Sequence, residues 1–573
     1  MKLAFNDELE ELARRRGFFW PSYEIYGGTA GLYDIGPNGI KVKQKIENLW
    51  RDHFITSSLL NIVEIETPMV TPQRVLEASG HVESFTDPLV ICPKCHRVYR
   101  ADQLAEAQLK IKTEGMTLGE LKKLYSEKEI KCEACGTRLL DIQSFNLLFR
   151  TYIGPFTAES GFLRPETAQG IFTAFKRAFE AERKKLPLGV AQVGRVARNE
   201  ISPRQSLIRM REFTIMEFEF FFDPDQVPDL GSLQNKVVKI RLSNNTLVAE
   251  KMKDIAARGL LKHPWMGYFM ASTADFMEKI GFTADEVVFQ EKSEKERAHY
   301  SAQTFDVLVS TKRWGDVEVA GIAYRTDYDL RHHSEFSGQD LSVSVQLAVP
   351  VTKKVAHVWV NKAALGKKFG KYSVDIVNAL NALAESTNEE ELGNKEKIIL
   401  DLSFGKVEIT SDLARIEFKE ETVNSEKIYP HVVEPSFGAD RLLYAVLDHS
   451  LRNKEDRRIL SLPSAIAPYD IAVFPLVEEE KLVLKAKAIF QMLKKTGFEV
   501  LYDEDGTIGR RYARVDEIGV PWAITVDEES IAGRGVTIRD RDSWTQWRVS
   551  EARLSEAIEA LRKGLDLKSL GLA

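Results

Sequence analysis

Two strongly alternating segments separated by a polar loop constrain the fold of this chain more than any other feature. Residues 190–200 and 211–222 alternate apolar and polar side chains, which is the pattern of β-strands that pack one face against a core. The residues that share a face are Gln192, Gly194, Val196, Arg198 and Glu200 in the first segment and Arg211, Phe213, Ile215, Glu217 and Glu219 in the second. We therefore expect an antiparallel hairpin that gathers arginines, carboxylates and one aromatic ring.

Such a face has the groups that bind a nucleotide. A guanidinium can hold a phosphate through two hydrogen bonds, a phenyl ring can stack on adenine, and a carboxylate can accept the adenine amino group. The alternative is a solvated sheet face with ion pairs between the strands. The hairpin taken alone barely favours the nucleotide over that alternative.

Two other segments favour the nucleotide. Residues 432–441 contain a strand, a Pro-Ser-Phe-Gly step and then Arg441, which falls in the first turn of an apolar helix. A cation there opposes the helix dipole, so we expect an anionic partner. Residues 316–319 form a further strand that carries Glu318, a suitable magnesium ligand beside phosphate oxygens.

All four cysteines of the chain fall in two close pairs. Cys92 and Cys95 form one C-x-x-C, and Cys132 and Cys135 form the other. Two such turns bring four thiolates together in the tetrahedral arrangement that zinc prefers, and four protein ligands leave no open position for catalysis. The alternative is four buried, uncharged thiols, which we consider the weaker interpretation. The spacer, 104–128, has the composition of a helical arm.

Length and composition exclude several classes of protein. The chain has 573 residues, which suggests three or four structural units, and its 44% hydrophobic and 29% charged residues are typical of globular proteins. A net charge of −6 argues against a general nucleic-acid coat. The sequence has neither a secretory pattern nor a long uncharged apolar run, so we expect no membrane association. Paired thiols without further cysteines indicate a reducing, cytoplasmic location.

Strands and helices alternate after Ala467, which predicts a compact C-terminal α/β domain. Its segment 510–514 contains Arg510, Arg511, Tyr512 and Arg514. Cations mixed with an aromatic ring suit RNA contacts, but a solvated helix face explains them equally well.

These pieces resemble the three motifs of class II aminoacyl-tRNA synthetases. Residues 42–68 resemble motif one, which builds the dimer interface, residues 198–213 resemble motif two, and residues 434–441 resemble motif three. Within that class the chain is similar to the dimeric glycyl-tRNA synthetases of the archaeal and eukaryotic branch. The segments that carry this likeness are 21–28, 79–81, 164–170 and 434–436. The resemblance covers nearly the whole chain.

The resemblance implies an α+β fold: a class II antiparallel sheet flanked by helices, a zinc-ribbon-like insertion and a C-terminal α/β anticodon-binding domain. The implied boundaries are a catalytic core in pieces 1–88, 146–227, 311–339 and 431–464, a zinc-binding insertion at 89–145, further insertions at 228–310 and 340–430, and the anticodon-binding domain at 465–573.

The resemblance also implies roles in binding ATP. Arg198 is expected on the α-phosphate, and Arg441 on the γ-phosphate with help from Arg209. Glu200 is expected to accept from the adenine amino group, Phe213 to stack on the ring, and Glu318 to position magnesium. The implied ATP-binding set is Arg198, Asn199, Glu200, Ile208, Arg209, Met210, Arg211, Glu212, Phe213, Glu318, Val319, Gly438, Ala439, Asp440 and Arg441.

The implied amino-acid pocket is small and acidic. Glu166, Glu217 and Glu434, with the Ser436 hydroxyl, resemble the family's set that binds the ammonium group, and Arg100 resembles its substrate-contacting arginine. The implied substrate-binding set is Arg100, Glu166, Phe213, Thr214, Ile215, Met216, Glu217, Glu434, Pro435, Ser436, Phe437 and Gly438. A pocket that merely lacks contacts for an extra methylene discriminates against it by only about 1–3 kcal/mol. Selection of glycine over alanine therefore requires a rigid wall that leaves no room for the methyl group.

The expected activity is that of a glycine–tRNA ligase. Such an enzyme activates glycine with ATP and magnesium and transfers it to the 3′ end of tRNA(Gly), here as a homodimer with structural zinc. One alternative is a class II synthetase for threonine, proline or serine. A second alternative is a non-catalytic, nucleic-acid-binding accessory protein, but the retained arginines and carboxylates argue against it. A third is a stand-alone ligase, and the C-terminal domain argues against that one.

Overall fold

The structure is a computed structural model that describes residues 8–113, 115–155, 159–387, 397–402 and 404–572. The chain forms two compact units. One comprises Met1–Leu341 together with Pro430–Ala573, and the other comprises Ser342–Tyr429.

A nine-stranded sheet is the centre of the first unit. Its strands in spatial order are Leu247–Lys251, Val237–Arg241, Val287–Glu291, Gln303–Thr311, Gly315–Thr326, His431–Gly438, Glu212–Phe222, Leu188–Ala197 and Ile62–Glu64. Neighbouring strands are antiparallel except at two places, where Val237–Arg241 pairs with Val287–Glu291 and Leu188–Ala197 pairs with Ile62–Glu64. This arrangement confirms the predicted fold class.

The hairpin predicted from alternation forms the seventh and eighth strands of this sheet. Gln192 lies opposite Glu217 and Val196 lies opposite Phe213, so the polar residues of both strands share one face. The strand His431–Gly438 pairs with the other side of Glu212–Phe222 and leads directly into the helix Ala439–Ser450. The predicted strand-to-helix unit is therefore confirmed, and it lies beside the hairpin.

Helices cover the sheet with apolar faces. The helix Pro37–Arg51 starts at a proline, whose missing N–H costs nothing in a first turn, and it buries Val42, Ile46 and Trp50 as the spacing predicts. Further helices of this catalytic part, besides Ala439–Ser450, are Glu8–Arg16, Ala168–Ala181, Pro264–Lys279 and Tyr328–Ser337. Short helices span Gln73–Ala78, His81–Ser84 and Met252–Ala257.

Residues 228–310 were expected as an insertion, and they extend the central sheet. Three strands at one edge, and the strand Gln303–Thr311 that joins them to the middle, come from this segment. Its helix Pro264–Lys279 buries Phe269 and Phe276 in the same hydrophobic core as Phe218. The segment therefore shares the core of the catalytic sheet.

The cysteine-bearing segment has its own small core. Thr86–Ile91, Val98–Arg100 and Ile142–Asn146 form a three-stranded sheet, and the predicted helical arm is two helices, Ala101–Leu109 and Leu118–Glu127. Thr117 and Glu120 cap the second helix reciprocally, which fixes its start. A further three-stranded sheet joins Val70–Pro72, Glu159–Leu163 and Phe149–Ile153.

The predicted C-terminal α/β domain is confirmed. Its sheet has the strand order Val500–Tyr502, Ile471–Pro475, Trp522–Val526, Val536–Asp540 and Gln546–Val549. Its helices are Glu480–Lys495, Ile508–Ile518, Glu528–Ile531 and Leu554–Arg562. A hairpin of Leu451–Lys454 and Arg457–Leu460 precedes the domain.

The second unit is built around two long antiparallel strands, Val343–Val360 and Ala414–Ile428. Their pairing begins with Val343 opposite Ile428. A second hairpin, Lys397–Leu402 with Gly405–Thr410, and two helices, Lys362–Phe369 and Ser373–Ser386, complete the unit.

Within the part of the chain that the structure describes, every helix is too short or too polar to cross a membrane.

Candidate active site

One cavity of about 410 Å³ opens on the polar face of the central sheet. It is lined by residues from motif two, motif three and the strand Gly315–Thr326, which are far apart in sequence. The predicted site residues that line it are Glu166, Arg198, Glu200, Ile208, Arg209, Met210, Phe213, Ile215, Glu217, Glu318, Val319, Glu434, Ser436, Gly438, Asp440 and Arg441. The structure thus brings most of the predicted residues into one space.

Arg198 lies between two aromatic rings at one side of the cavity. Its guanidinium is 5.4 Å from the ring centre of Phe213 and 5.4 Å from that of Phe85. Its Nε donates to the main-chain oxygen of Pro165 at 3.0 Å. The rings and this hydrogen bond fix the direction of the side chain, so that a phosphate need not order it on binding.

Arg441 also lines the cavity, in the first turn of the helix Ala439–Ser450 as predicted. Its Nε donates to the main-chain oxygen of Ile208 at 2.9 Å, and its Nη1 donates to that of Glu318 at 2.9 Å. The Glu318 carboxylate lies 3.3 Å from the same guanidinium. The Glu318 carboxylate is therefore an anionic partner of this cation in the cavity wall.

Arg209 and Glu200 pair with each other. The Nε of Arg209 is 3.1 Å from the Glu200 carboxylate, and its Nη1 donates to Oε1 of Gln103 at 2.7 Å. Gln103 belongs to the helix Ala101–Leu109 of the cysteine-bearing segment. That segment therefore contacts the motif-two loop at the edge of the cavity.

The floor of the cavity is acidic. Glu217 is almost fully buried and accepts three hydrogen bonds: from the main-chain N–H of Thr167 at 2.6 Å, from its hydroxyl at 2.5 Å and from the Ser436 hydroxyl at 2.8 Å. Three donors to one carboxylate satisfy a charge that would otherwise be expensive to bury.

A fully buried arginine holds the other carboxylates. Arg325 donates to Glu434 at 2.9 Å and to Asp329 at 2.8 Å, and it lies 3.8 Å from Glu166. Its guanidinium lies 3.7 Å from the centre of the Tyr300 ring, which lines the cavity. One cation thus serves three carboxylates.

The pKa values of Glu434 and Glu166 are shifted in opposite directions. Burial raises the pKa of Glu434 to about 8 against the attraction of Arg325, and the neighbouring Glu217 and Glu166 add to the rise. Burial would also raise the pKa of Glu166, but His81 and Arg325 outweigh it and hold that pKa well below its usual range. A pocket with more carboxyls than cations attracts a small positively charged group.

Several predicted residues lie away from the cavity. Arg100 pairs with Asp87 at 2.9 Å and Asp102 at 2.8 Å, and Glu212 pairs with Arg195 on the surface. Met216 and Phe437 point into the apolar core on the other face of the sheet. Those placed outside the cavity lining are Arg100, Asn199, Arg211, Glu212, Thr214, Met216, Pro435, Phe437 and Ala439.

Arg211 supports the motif-two loop from behind. Its Nη1 donates to the main-chain oxygen of Ala30 at 2.7 Å and its Nη2 to that of Glu200 at 3.1 Å. Together with Asn199 it lines a second cavity of about 490 Å³ between the loop and the cysteine-bearing segment.

Sequence reasoning missed part of the lining. The additional lining residues are Leu207, Lys292, Glu296, Arg297, Ala298, Tyr300, Thr304, Asp306, Ala320, Gly321, Ile322 and Ala323. Seven of these twelve residues lie in 228–310, which was expected as an insertion. Arg325 was missed because it is the extra residue of a β-bulge, and a bulge redirects a side chain that simple alternation would place elsewhere.

In the C-terminal domain, two of the arginines considered for RNA contacts are used internally. Arg511 is buried and donates to the main-chain oxygens of Pro475, Glu504 and Gly506 at 2.5–2.6 Å. Arg514 donates to Asp503 at 2.7 and 2.8 Å. Arg511 is therefore a buried structural residue, which neither an RNA contact nor a solvated helix face describes, and Arg514 is held in an ion pair within the domain.

The four cysteine sulfurs come together as predicted. All four lie within 4.8 Å of one another, and the Cys92–Cys135 and Cys95–Cys132 pairs are each 3.5 Å apart. Each C-x-x-C closes a turn through a residue with positive φ directly after its second cysteine, His96 at 56° and Gly136 at 70°. Tetrahedral zinc with Zn–S bonds of about 2.3 Å requires a cluster of this size.

Comparison with known families agrees with this site. A family model described as the tRNA synthetase class II core domain (G, H, P, S and T) matches residues 157–450, and one described as an anticodon binding domain matches residues 470–562. The chain therefore belongs to the class II aminoacyl-tRNA synthetases.

Curated relatives define the family within this class. A glycine–tRNA ligase of Aeropyrum pernix is 44% identical over 580 residues, which cover 99% of this chain and 98% of that one. The glycine–tRNA ligase of Methanocaldococcus jannaschii is 41% identical over 574 residues, covering 98% of this chain and 99% of that one. The chain belongs to the glycine–tRNA ligase family, which confirms the resemblance inferred from its motifs.

Among solved structures, a prolyl-tRNA synthetase from Cryptosporidium parvum complexed with L-proline and AMP has the same fold. The TM-score is 0.51 at 14% identity, over 98% of this chain and 76% of that one. At this identity the likeness concerns the fold alone.

Proposed function

We propose that the protein activates glycine with ATP to form glycyl-adenylate and pyrophosphate, and then transfers glycine to the 3′ end of tRNA(Gly). The observation that carries the proposal is that one cavity is lined both by Arg198 and Arg441 and by the acidic floor of Glu166, Glu217 and Glu434. The first pair suits a folded triphosphate, and the floor suits an ammonium group.

In the first half-reaction the glycine carboxylate attacks the α-phosphorus and pyrophosphate leaves. Arg198 binds the α-phosphate, where negative charge grows, and Arg441 binds the γ-phosphate. Phe213 stacks on the adenine ring. Glu200 accepts a hydrogen bond from the adenine amino group after its ion pair with Arg209 has opened. Such a displacement requires positioning and charge compensation, and no nucleophilic side chain.

Magnesium bound with ATP supplies further charge compensation for the phosphates. The Glu318 carboxylate is the group of this cavity that suits it, because it stands at the wall beside Arg441 and magnesium prefers carboxylate oxygens.

The acidic floor explains why glycine fits. Glu217 and Glu434 offer carboxyl oxygens to the ammonium group, and Ser436 and Arg325 hold those carboxyl groups in place. A larger amino acid would require room for its side chain against Tyr300 and Ser436, where the wall is formed by hydrogen-bonded or stacked groups that do not retreat cheaply.

The experiment that tests this function is ATP–pyrophosphate exchange with each amino acid in turn. Exchange that requires glycine and is not supported by alanine, serine, threonine or proline is the expected result. Exchange with another amino acid alone would replace glycine in the proposal, and the absence of exchange with any of them would favour a non-catalytic protein.

We also propose a structural zinc ion at the four cysteines, a cytoplasmic location that keeps their thiols reduced, and a homodimer. The likeness of 42–68 to motif one supports the dimer. So does the strand Ile62–Glu64, which is the edge of the central sheet, with the fully exposed Leu59 just before it. Light scattering of the purified protein tests the oligomeric state.

A further inference from the structure

The N-terminal helix Glu8–Arg16 belongs to the catalytic part by its buried face. Leu9, Leu12 and Ala13 are almost fully buried within the hydrophobic core of the central sheet. The polar face of the helix is also engaged, because Glu10 pairs with Arg313 at 3.1 Å and Glu11 with Arg458 at 2.8 Å. The helix is therefore held firmly on the catalytic part.

The last turn of this helix holds a carboxylate of the C-terminal domain. Glu517, at the end of the helix Ile508–Ile518, accepts from Arg15 at 2.6 and 3.0 Å and from Arg16 at 2.6 Å. Its side chain is only 14% exposed. Burial opposes its ionisation, but the hydrogen bonds from the two guanidinium groups outweigh burial and lower the pKa of Glu517. We name Arg15, Arg16 and Glu517 the N-terminal clasp.

The same N-terminal segment continues to motif two. Shortly after Arg16, the main-chain oxygen of Gly31 accepts from the N–H of Arg211 at 2.8 Å, and that of Ala30 accepts from its guanidinium. Arg211 in turn holds the main chain at Glu200. One short stretch of chain thus touches both the C-terminal domain and the loop of the ATP site.

We propose that Glu517 is a positioning residue that fixes the anticodon-binding domain against the catalytic part for a full-length tRNA. The proposal rests on the proposed function, because the tRNA must contact both parts at once. Binding energy gained at the anticodon assists transfer only if the 3′ end is then delivered at a high effective concentration, which requires a fixed spacing between the two sites. Glu517 touches neither ATP nor glycine.

The experiment compares two RNA substrates with three variants. Glu517→Gln removes the charge that both arginines hold, and Arg15→Gln is a milder second variant that leaves Arg16 in place. Glu556→Gln is the matched control, since Glu556 pairs with Arg553 at 2.9 Å on the surface of the same domain. The substrates are full-length tRNA(Gly) and an acceptor-stem minihelix without an anticodon.

We expect Glu517→Gln to lower kcat/KM for full-length tRNA by about fivefold or more, the lower end of typical coupling between sites. Glycine-dependent exchange and minihelix aminoacylation should change less than about twofold, and Glu556→Gln should behave as the parent protein. Arg15→Gln should give a smaller loss in the same direction. In the double variant, Arg15→Gln should lower kcat/KM for full-length tRNA by less than it does in the parent protein. The reason is that the two side chains share one contact, so their effects are not additive.

Equal losses on both RNA substrates would overturn the proposal, as would wild-type transfer to full-length tRNA by both variants. If Glu517→Gln does not fold, Arg15→Gln decides between these outcomes. Failure of the proposed function is distinguishable, since the parent protein itself would then lack glycine-dependent exchange.

Discussion

Arg441 donates a hydrogen bond to the main-chain oxygen of Glu318 at 2.9 Å and also lies 3.3 Å from the carboxylate of that residue. The arginine proposed for the γ-phosphate and the carboxylate proposed for magnesium therefore compensate each other's charge. ATP with magnesium would offer each of them a partner of the same sign as the one it leaves.

Glu318→Gln should raise the magnesium concentration required for half-maximal exchange by about tenfold, because a charged ligand is replaced by a neutral one. The measurement is glycine-dependent exchange over a magnesium titration. Asp316→Asn is the control, as Asp316 lies on the same strand but bonds to Ser310 outside the cavity lining. An unchanged magnesium requirement would remove Glu318 from the proposed site.

Arg198→Ala should lower the rate of exchange by about 100-fold or more, as is typical for losing one group that stabilises developing charge. Arg195→Ala, which removes a surface arginine of the same strand that pairs with Glu212, should have little effect. Steady-state exchange kinetics distinguish the two variants. Near-normal activity of Arg198→Ala would contradict the placement of the α-phosphate.

Ser436→Ala should raise KM for glycine by about tenfold and leave KM for ATP near its parent value, because Glu217 loses a charge-assisted hydrogen bond worth about 1.5–3 kcal/mol. Ser310→Ala removes a hydroxyl of the same sheet outside the cavity lining and is the matched control. A shift in KM for ATP alone would place Ser436 in a different role.

Metal analysis should find about one zinc per chain. Cys132→Ser should lose the metal and lower the thermal midpoint, because Cys132 is buried in the small core of the cysteine-bearing segment. Thermal unfolding with and without a chelator measures the same contribution in the parent protein. Zinc-free protein with unchanged stability would favour four buried thiols.

Glu219→Gln should stabilise the protein increasingly as the pH rises. Glu219 is fully buried, both carboxyl oxygens are without a hydrogen-bond partner among the described residues, and burial beside Glu434 raises its pKa well above 4.5. An acid with a raised folded-state pKa contributes stability at low pH, and that stability is lost as the pH climbs from the unfolded toward the folded pKa. Glutamine does not titrate.

The difference in free energy of unfolding between this variant and the parent should therefore grow as the pH rises above about 5, by at most about 1.4 kcal/mol per pH unit. Urea unfolding at several pH values measures it. Glu556→Gln, which alters an exposed carboxylate, should give a difference that hardly varies with pH. If the difference in free energy of unfolding for Glu219→Gln also stayed constant with pH, the pKa of Glu219 would not be raised in the folded protein, and the prediction would be wrong.

Periodicity was sufficient to predict which side chains of the hairpin share one face. Alternation placed Gln192, Val196, Phe213 and Glu217 on one face, and the register of the hairpin confirms it. Alternation depends only on the backbone geometry of a strand, so the face of each side chain can be predicted without knowledge of the rest of the fold.

The rear of the amino-acid pocket could not be predicted in this way. The position of Arg325 is set by a β-bulge, and that of Tyr300 by an irregular segment. His81 lies on a short helix, and its ring is hydrogen-bonded to Ser79 and lies 3.5 Å from Glu166. Arg211 shares the face of Phe213 by alternation, yet hydrogen bonds to Ala30 and Glu200 turn it away from the cavity. Such details are set by tertiary contacts, which a local pattern does not contain.

The pairing of Val343 with Ile428 has a consequence for the history of this chain. It brings the entry and exit of an entire unit side by side, so that a tight turn could bridge them and leave the central sheet uninterrupted. A unit whose two ends lie side by side in this way can be enlarged or removed in evolution with little change to the strands that flank it in sequence.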